Sequence, residues 1–157
     1  MIFKAIGVIR TPFKDYRDMP IQPVAAAGVK GTVEVFREYR PGLKDLNGFS
    51  HVILLYHFHL SRGFSLRVVP FMDTRPRGLF STRAPKRPNP IGLSVVRLFK
   101  VEDGALYVEN VDILDGTPLL DIKPYVPEFD STARIRLGWL ESAKKKAPKA
   151  KSDGRFG

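Results

Sequence analysis

Short apolar segments, separated by glycine, proline and charged residues, run along most of this chain. Residues 31–36 alternate Thr32 and Glu34 with valines, and a period of two residues is typical of a strand with one buried face. Residues 3–10 and 51–60 have the apolar and β-branched content of strands, and the second is the most apolar stretch of the sequence. The pattern therefore predicts three strands in the first 60 residues.

A β-hairpin is the clearest local feature of the sequence. Residues 95–101 and 105–113 are rich in β-forming side chains, and the turn between them contains Asp103-Gly104. Asp-Gly pairs adopt the positive φ angles that two-residue hairpin turns require. Two paired strands are therefore predicted here.

Helical content is predicted to be small. The run Pro41–Asn47 has proline near its start and glycine after its end, which favours one or two helical turns. Residues 134–146 predict a short helix anchored by Trp139 and Leu140. Thirteen prolines and 13 glycines among short strands favour a mainly β fold, a compact β-barrel with one or two short helices, over a doubly wound α/β sheet.

Composition narrows the class of protein. The 157 residues are 43% hydrophobic, enough for one domain with a core. No apolar run approaches the roughly 20 residues that span a bilayer, and the N-terminus lacks the apolar core of a secretory signal. The absence of cysteine excludes disulfides, zinc-thiolate sites and thiol nucleophiles. We therefore expect a cytoplasmic protein.

The net charge of +10 is unevenly distributed. Residues 61–101 contain 9 basic and 1 acidic side chains, whereas residues 102–142 contain 3 basic and 9 acidic ones. Residues 143–157 contain 6 basic and 1 acidic side chains and too few bulky apolar groups to fold. We expect a barrel domain over residues 1–142, a flexible basic tail over 143–157, and a polyanion as partner.

Residues 78–94 form the most unusual segment. Prolines at positions 85, 88 and 90 fix φ and restrict the residues before them, so the basic side chains stand on a stiff, irregular backbone. No acidic residue occurs between Thr74 and Val101. A rigid basic loop of this kind favours anion recognition.

A second segment, residues 112–127, follows the hairpin through the turn Asp115-Gly116-Thr117-Pro118. The Asp-Gly pair supplies a positive φ and Thr117 a hydroxyl, which gives a tight loop that can clasp a small ligand. Asp121 lies two residues from Lys123 on the same strand face, where a structural ion pair is expected before acid–base chemistry.

The histidines suggest a metal site only weakly. His57 and His59 are two residues apart, so on a strand they share a face, as metal ligands do. His51 on that face lies about 20 Å away at roughly 3.3 Å per residue, so a third ligand is hard to find. The sequence also lacks G-x-G-x-x-G, the P-loop and G-x-S-x-G, which argues against the common nucleotide loops and a serine hydrolase.

Four blocks in register resemble the TsaA/TrmO (YaeB-like) family. The most specific is TRAPKRPNPIGLS, residues 82–94, and the match runs from about residue 3 to residue 141. The four blocks are Ile6–Phe13 with the following Pro20–Pro23, Gly48–His51, Phe80–Ser94 and Asp115–Tyr125.

The resemblance implies a tRNA methyltransferase that uses S-adenosyl-L-methionine, has a β-barrel fold and forms a homodimer with the cofactor near the subunit interface. Members of the family methylate N6 of the threonylcarbamoylated adenosine just 3′ of the anticodon, at position 37. The tRNA anticodon stem-loop is thus the expected partner. The family's cofactor contacts carry over to Pro23, Val24, Ala25, Arg62, Gly63, Arg83, Leu93, Asp112, Asp115, Gly116, Thr117 and Pro118.

Such an enzyme aligns two atoms and disposes of a proton. Asn89 and the carbonyls beside Pro90 are candidates for holding the N6 hydrogens, Asp115 or Asp121 for taking the proton or binding cofactor hydroxyls, and Tyr125 for stacking on the target base. The candidate phosphate-binding cations are Arg75, Arg77, Lys86, Arg87 and, in the tail, Lys144, Lys145 and Lys146.

Bacterial members of the family carry a further C-terminal domain that is thought to help with RNA. In this sequence a lysine-rich tail follows soon after Trp139, and we expect the tail or a separate partner to compensate. Two alternatives stay open: a non-catalytic RNA-binding barrel with the same basic surface, and a metal-dependent enzyme built on His57 and His59.

Overall fold

Six antiparallel strands close into a barrel in the computed structural model of this chain. The structure describes residues 1–15, 17, 19, 26–71, 73–132 and 134–143. The strands follow the order β1-β2-β7-β6-β3-β8 around the barrel, and β4 and β5 form a separate two-stranded sheet. The strands are β1 Gly7–Arg10, β2 Lys30–Val35, β3 His51–His57, β4 Arg67–Val68, β5 Arg77–Gly78, β6 Ile91–Glu102, β7 Ala105–Glu109 and β8 Thr117–Pro124.

The predicted barrel and its hairpin are confirmed. β6 and β7 pair from Glu102 opposite Ala105 to Arg97 opposite Glu109. Asp103 and Gly104 at the turn have φ angles of 52° and 79°, the conformation that the Asp-Gly pair predicted. The first predicted strand is shorter than expected, because only Gly7–Arg10 pairs with neighbouring strands.

The barrel interior is built from alternate residues of each strand. In β3 the buried positions are Val52, Leu54 and Tyr56, and in β6 the pattern continues with Val96 and Leu98. Branched aliphatic side chains at these positions fill the barrel, as the pleat requires. One inward position of β6 is polar: Ser94, of which 1% is exposed.

In the part of the chain that the structure describes, helical structure is limited to short turns. Two 3₁₀ turns, Arg37–Leu43 and Leu46–Gly48, precede β3, and Leu43 and Leu46 pack against the core. Two single-turn helices follow β8: α1 Pro127–Asp130 and α2 Leu140–Ala143. The helix predicted over 134–146 was wrong in extent, since within the described residues only Leu140–Ala143 is helical and Gly138 before it has a φ of 56°.

The antiparallel order places half of the strand ends at each rim of the barrel. β1, β3 and β7 end at one rim, where β2, β6 and β8 begin. The proline-rich segment and the turn at residues 115–118 both join strands at this rim, which we call the proline-loop end. Among the described residues, no helix has the length and apolar character needed to cross a membrane.

Candidate active site

The proline-rich loop, residues 79–90, is held in a defined shape by its own side chains. Nη1 of Arg87 donates hydrogen bonds to the carbonyl oxygens of Thr82 (3.0 Å), Ala84 (3.4 Å) and Leu79 (3.5 Å). Indole Nε1 of Trp139 donates to the carbonyl of Ser81 at 2.9 Å, which attaches the C-terminal segment to this loop. The loop is therefore rigid for reasons beyond its prolines.

Hydrogen bonds from β1 also fix the loop between β7 and β8. The Oγ1 of Thr11 donates to the carbonyl of Ile113 at 2.7 Å, and the N–H of Thr11 donates to Oδ1 of Asp115 at 3.0 Å. Gly116, with a φ of 77°, donates its N–H to the carbonyl of Ile9 at 2.9 Å, and Oγ1 of Thr117 donates to the carbonyl of Leu114 at 2.7 Å. The Asp-Gly-Thr-Pro turn is thus a preorganised structure.

A chain of three side chains links the loop between β7 and β8 to strands β3 and β6. Oγ of Ser94 donates to Oδ1 of Asp112 at 2.7 Å, and the hydroxyl of Tyr56 lies 3.0 Å from the same Oγ. The hydroxyl of Ser94 has a single hydrogen, which it donates to Asp112. The hydroxyl of Tyr56 is therefore the donor in its hydrogen bond with Ser94. Burial raises the pKa of the Asp112 carboxyl to about 6, although the Ser94 hydrogen bond and the charge of Arg83 oppose the rise.

Arg83 adds a positive charge at the same place. Its side chain is exposed, and its guanidinium lowers the pKa of both Asp112 and Tyr56, which shows that it lies close to them. Burial is still the larger effect on Tyr56 and raises its pKa above the ordinary range. Among the described residues Arg83 forms no ion pair within 4.0 Å, so the guanidinium is available for an anion.

Asp115 has a structural role in this rim. Its Oδ1 accepts the N–H of Thr11, and its Oδ2 pairs with Nζ of Lys14. The hydrogen bond from Lys14 is the main cause that holds the pKa of Asp115 below its usual range. A carboxylate with both oxygens occupied and a low pKa is a poor proton acceptor, so this arrangement favours a structural role for Asp115 over proton transfer.

Asp121 and Tyr125 lie at different levels along the barrel wall. Asp121 is opposite Leu55 on the outer wall and forms an ion pair of 2.7 Å with Lys123, as the sequence suggested. Tyr125 follows the last residue of β8, about 26 Å along the strand from Thr117 at roughly 3.3 Å per residue, and its N–H bonds to the carbonyl of His51. Within one chain Tyr125 is thus distant from the turn at residues 115–118, and the roles predicted for both residues stay predictions.

Asn89 lies at the proline-loop end of the barrel, as the sequence predicted. Its side chain is exposed and makes no hydrogen bond to any described residue, while its main-chain carbonyl accepts the N–H of Ile91 at 2.8 Å. The carbonyl of Pro90 accepts the N–H of Phe58 at 2.8 Å. The two carbonyls therefore hold the loop against β3 and β6, and the Asn89 amide is the group left for a ligand.

The other predicted cofactor residues have mixed placements. Arg62 bonds through Nη1 to the carbonyls of His59 and Ser61, and Gly63 beside it has a φ of 62°. Ser61 reaches the carbonyl of Pro85 at 3.3 Å, so this turn adjoins the proline-rich loop. Leu93 is 46% exposed on the outer wall. Pro118 follows Thr117 in β8, whereas Pro23, Val24 and Ala25 lie outside the described residues.

The predicted phosphate-binding cations fall into two groups. Arg77 pairs with Asp73 at 2.6 Å and lies over the Trp139 ring, and Arg87 is bound to loop carbonyls, so both are structural residues here. Arg75 is exposed and Lys86 half-buried. Lys144, Lys145, Lys146 and the rest of the predicted tail lie outside the described residues.

The histidine pair does not have the geometry that the sequence suggested. β3 ends at His57, and the N–H of His59 bonds back to the His57 carbonyl at 2.7 Å, so the chain turns and the two rings share no strand face. Burial, then the charge of His57, lowers the pKa of His59. Within the described residues no third His, Cys, Asp or Glu completes a cluster for a metal.

Sequence reasoning missed two members of the site, Tyr56 and Ser94. A signal for Ser94 was present, because a serine occupies an inward position in the alternation of β6. The signal for Tyr56 was weaker, since tyrosine is common in buried strands and only the fold places its hydroxyl against Ser94.

Comparison with known proteins agrees with this architecture. Residues 8–131 match the family model of the tRNA-methyltransferase O N-terminal domain. A probable S-adenosyl-L-methionine-binding protein of Pyrococcus abyssi is 56% identical over 98% of this chain and 84% of its own length. The human tRNA (adenine(37)-N6)-methyltransferase is 35% identical over 86% of this chain, but the match covers 32% of the human protein.

A solved structure shows the same relationship. The crystal structure of TrmO from Pseudomonas aeruginosa superposes with a TM-score of 0.74 at 40% identity, over 88% of this chain and 62% of the TrmO chain. This chain thus spans less than two thirds of that protein. The family match covers most of the chain and includes both loops of the proline-loop end. The chain therefore belongs to the TsaA/TrmO family of S-adenosyl-L-methionine-dependent tRNA methyltransferases.

Proposed function

We propose that this chain, working in the cytoplasm, methylates N6 of adenosine 37 in tRNA and that the threonylcarbamoylated adenosine is its substrate. The observation that carries the proposal is the 2.7 Å hydrogen bond between Ser94 and Asp112, which joins the 110–118 loop to the first turn of β6, the strand that directly follows the proline-rich loop. The name of the human relative supplies the position and the atom.

The residues at this rim fit S-adenosyl-L-methionine in charge. The cofactor carries a carboxylate, an ammonium and a sulfonium, and it supplies an electrophilic methyl group when bound. Exposed Arg83 offers a cation without an ion-pair partner among the described residues, which suits the carboxylate. A hydrophobic cleft without this cation would not fit the carboxylate of this ligand.

Arg83 can be tested separately from catalysis. Arg83→Ala is expected to weaken S-adenosyl-L-methionine binding at least about tenfold, as loss of a charge-assisted hydrogen bond does. Arg67→Ala, which also removes an exposed arginine, is the matched control. Calorimetric titration that gives equal affinities for the two variants would contradict this placement of the carboxylate.

Acceptor nitrogen and methyl donor must be held in line. We assign Asn89 to orienting the target base, because its exposed amide follows directly from the rigid loop and can form hydrogen bonds to a base as donor or acceptor. The target base lies in a tRNA loop, so it can leave its stack at modest free-energy cost. Exposed Arg75 is the described cation that we assign to tRNA phosphate.

The decisive experiment incubates the purified chain with methyl-labelled S-adenosyl-L-methionine and tRNA. We expect label in a tRNA that contains adenosine 37 and none when guanosine replaces it. A pair of tRNAs with and without the threonylcarbamoyl group then tests the finer substrate. Undiminished tRNA binding without label would favour the alternative of a non-catalytic RNA-binding barrel.

We also propose that the chain forms a homodimer. Seven large apolar side chains among the described residues between 60 and 93 are exposed, more than an isolated surface favours. They are Leu60, Phe64, Leu66, Val69, Phe80, Ile91 and Leu93. Light scattering is expected to give twice 17.7 kDa, and Leu66→Asp should lower this mass whereas Phe3→Asp, a change at an equally exposed N-terminal residue, should not. A monomeric wild type would refute the dimer.

A further inference from the structure

We infer that Asp112 is the proton acceptor of the methyl transfer and that Ser94 and Tyr56 are the positioning residues that hold its carboxylate. The inference rests on the proposed function and names a residue that the reaction needs. It replaces Asp115 and Asp121, whose carboxylates are paired with Lys14 and Lys123.

The first argument is the location of the buried hydroxyls. Ser94 is 1% exposed and Tyr56 4% exposed, in a barrel whose other inward side chains on these strands are aliphatic. A serine hydroxyl in an apolar interior is costly unless its hydrogen bonds are satisfied. The serine hydroxyl accepts from Tyr56 and donates to Asp112, so the two hydroxyls together support the carboxylate.

The second argument is the remaining capacity of Asp112. Its carboxylate accepts a hydrogen bond from Ser94, and no described cation lies within ion-pair distance. An ionised carboxylate has about four acceptor positions, so lone pairs remain unused. The side chain is only partly buried, which leaves it accessible from the rim where Asn89 and Arg83 lie.

The step balances in atoms and charge. The acceptor nitrogen forms a bond to the methyl carbon while the carbon–sulfur bond breaks, and the electron pair of that bond stays on sulfur. The nitrogen then carries a positive charge and gives its proton to Asp112, which releases the proton to water. A pKa of about 6 keeps Asp112 ionised at neutral pH yet basic enough to accept this proton.

Asp112→Asn is the principal test. The amide oxygen can still accept from Ser94, but the side chain no longer takes a proton, so the methylation rate should fall at least about 100-fold. The Kd for S-adenosyl-L-methionine, measured by calorimetry, should stay within about threefold, unlike that of a residue that clamps the cofactor. Asp45→Asn, which removes an exposed carboxylate at the other end of the barrel, should keep full activity.

Ser94→Ala tests the positioning role through pH. The charged and titratable groups that face Asp112 are Arg83 from the loop and, through Ser94, Tyr56 from β3. Removing the Ser94 hydrogen bond destabilises the carboxylate, so the acid limb of the rate profile should move to higher pH. Tyr56→Phe should move it in the same direction by less.

A readout without substrate keeps the test independent of activity. Carboxyl carbon NMR of the cofactor-free chain should show Asp112 titrating near pH 6 and at higher pH in Ser94→Ala. An unchanged Asp112 titration in Ser94→Ala, or loss of cofactor binding in Asp112→Asn, would overturn the assignment. Inactivity of the wild type would refute the proposed function instead, so the two failures are distinguishable.

Discussion

The ring of Tyr56 lies directly over Gly92, its partner across the β3–β6 ladder. A side chain on Gly92 would overlap the edge of that ring and come within 2.9 Å of Cζ of Phe58. Phe58 itself meets Tyr56 edge to face, with ring centroids 5.4 Å apart. Glycine at this position therefore makes room for the tyrosine that reaches Ser94.

Gly92→Ala is expected to destabilise the chain by about 1–3 kcal/mol, because the added methyl group must displace a packed aromatic ring. Gly42→Ala is the matched control, since no atom lies within 4 Å of its added Cβ. Thermal unfolding of both variants measures the difference. Equal melting temperatures would show that the Tyr56 ring can move aside freely.

Asp115 is expected to stabilise the rim without acting in catalysis. Asp115→Ala leaves the N–H of the buried Thr11 without an acceptor and should lower the free energy of unfolding by about 1–2 kcal/mol. Asp115→Asn keeps an acceptor oxygen and loses the exposed Lys14 pair, so it should be nearly neutral. Urea unfolding at pH 7 makes the comparison.

Acidification gives a second check on Asp115. The pKa of Asp115 is lowered in the folded state. Its ionised carboxylate therefore contributes to the free energy of unfolding at neutral pH, and this contribution disappears as the pH falls through the folded-state pKa. The difference in free energy of unfolding between wild type and Asp115→Ala should therefore become smaller in acid. A gap that stays constant would assign the effect to the backbone of the turn.

Substitutions at Arg87 and Arg75 are expected to have different effects, one on the structure of the loop and the other on tRNA binding. Arg87→Ala removes three hydrogen bonds to loop carbonyls and is expected to make residues 79–90 sensitive to protease and to weaken cofactor binding. Arg75→Ala should leave the loop intact and reduce the salt dependence of tRNA affinity by about one phosphate contact. Reversed phenotypes would place the phosphate contact at Arg87.

The fold could be predicted from local patterns because they agree with one another. Strict alternation over 31–36 and the Asp103-Gly104 turn each specify a strand or a hairpin without help from distant residues. The helix near Trp139 could not be predicted in the same way. Its indole bonds to Ser81 and its ring lies beneath Arg77, so tertiary contacts decide the conformation of that segment.

The site was predictable only where sequence order and spatial proximity coincide. The motif blocks identified Arg83, Asn89 and Asp112, which the barrel brings to one rim. The same blocks contain Tyr125, which lies at the far rim because an eight-residue strand separates it from the turn. The count of charged residues likewise could not show that the side chain of Arg77 pairs with Asp73 and that the side chain of Arg87 bonds to loop carbonyls.

Asp112 is expected to lower the stability of the folded chain in return for its reactivity. Its pKa is about 6 when folded against 3.8 as the ordinary value, so the folded state binds more protons between these values and stability falls as pH rises through this range. At pH 8 the ionised carboxylate therefore destabilises the chain by up to about 3 kcal/mol. Asp112→Asn removes this charge and should be more stable than wild type at pH 8.

The higher stability of Asp112→Asn relative to wild type should disappear below about pH 4, where Asp112 is protonated in both the folded and unfolded chain. Asp45→Asn should show no such pH-dependent gain, because Asp45 is exposed. Urea unfolding at several pH values measures the three chains. If Asp112→Asn were less stable at pH 8, the ionised carboxylate would be a stabilising partner of Ser94 and Arg83, and burial would not be the dominant effect on its pKa.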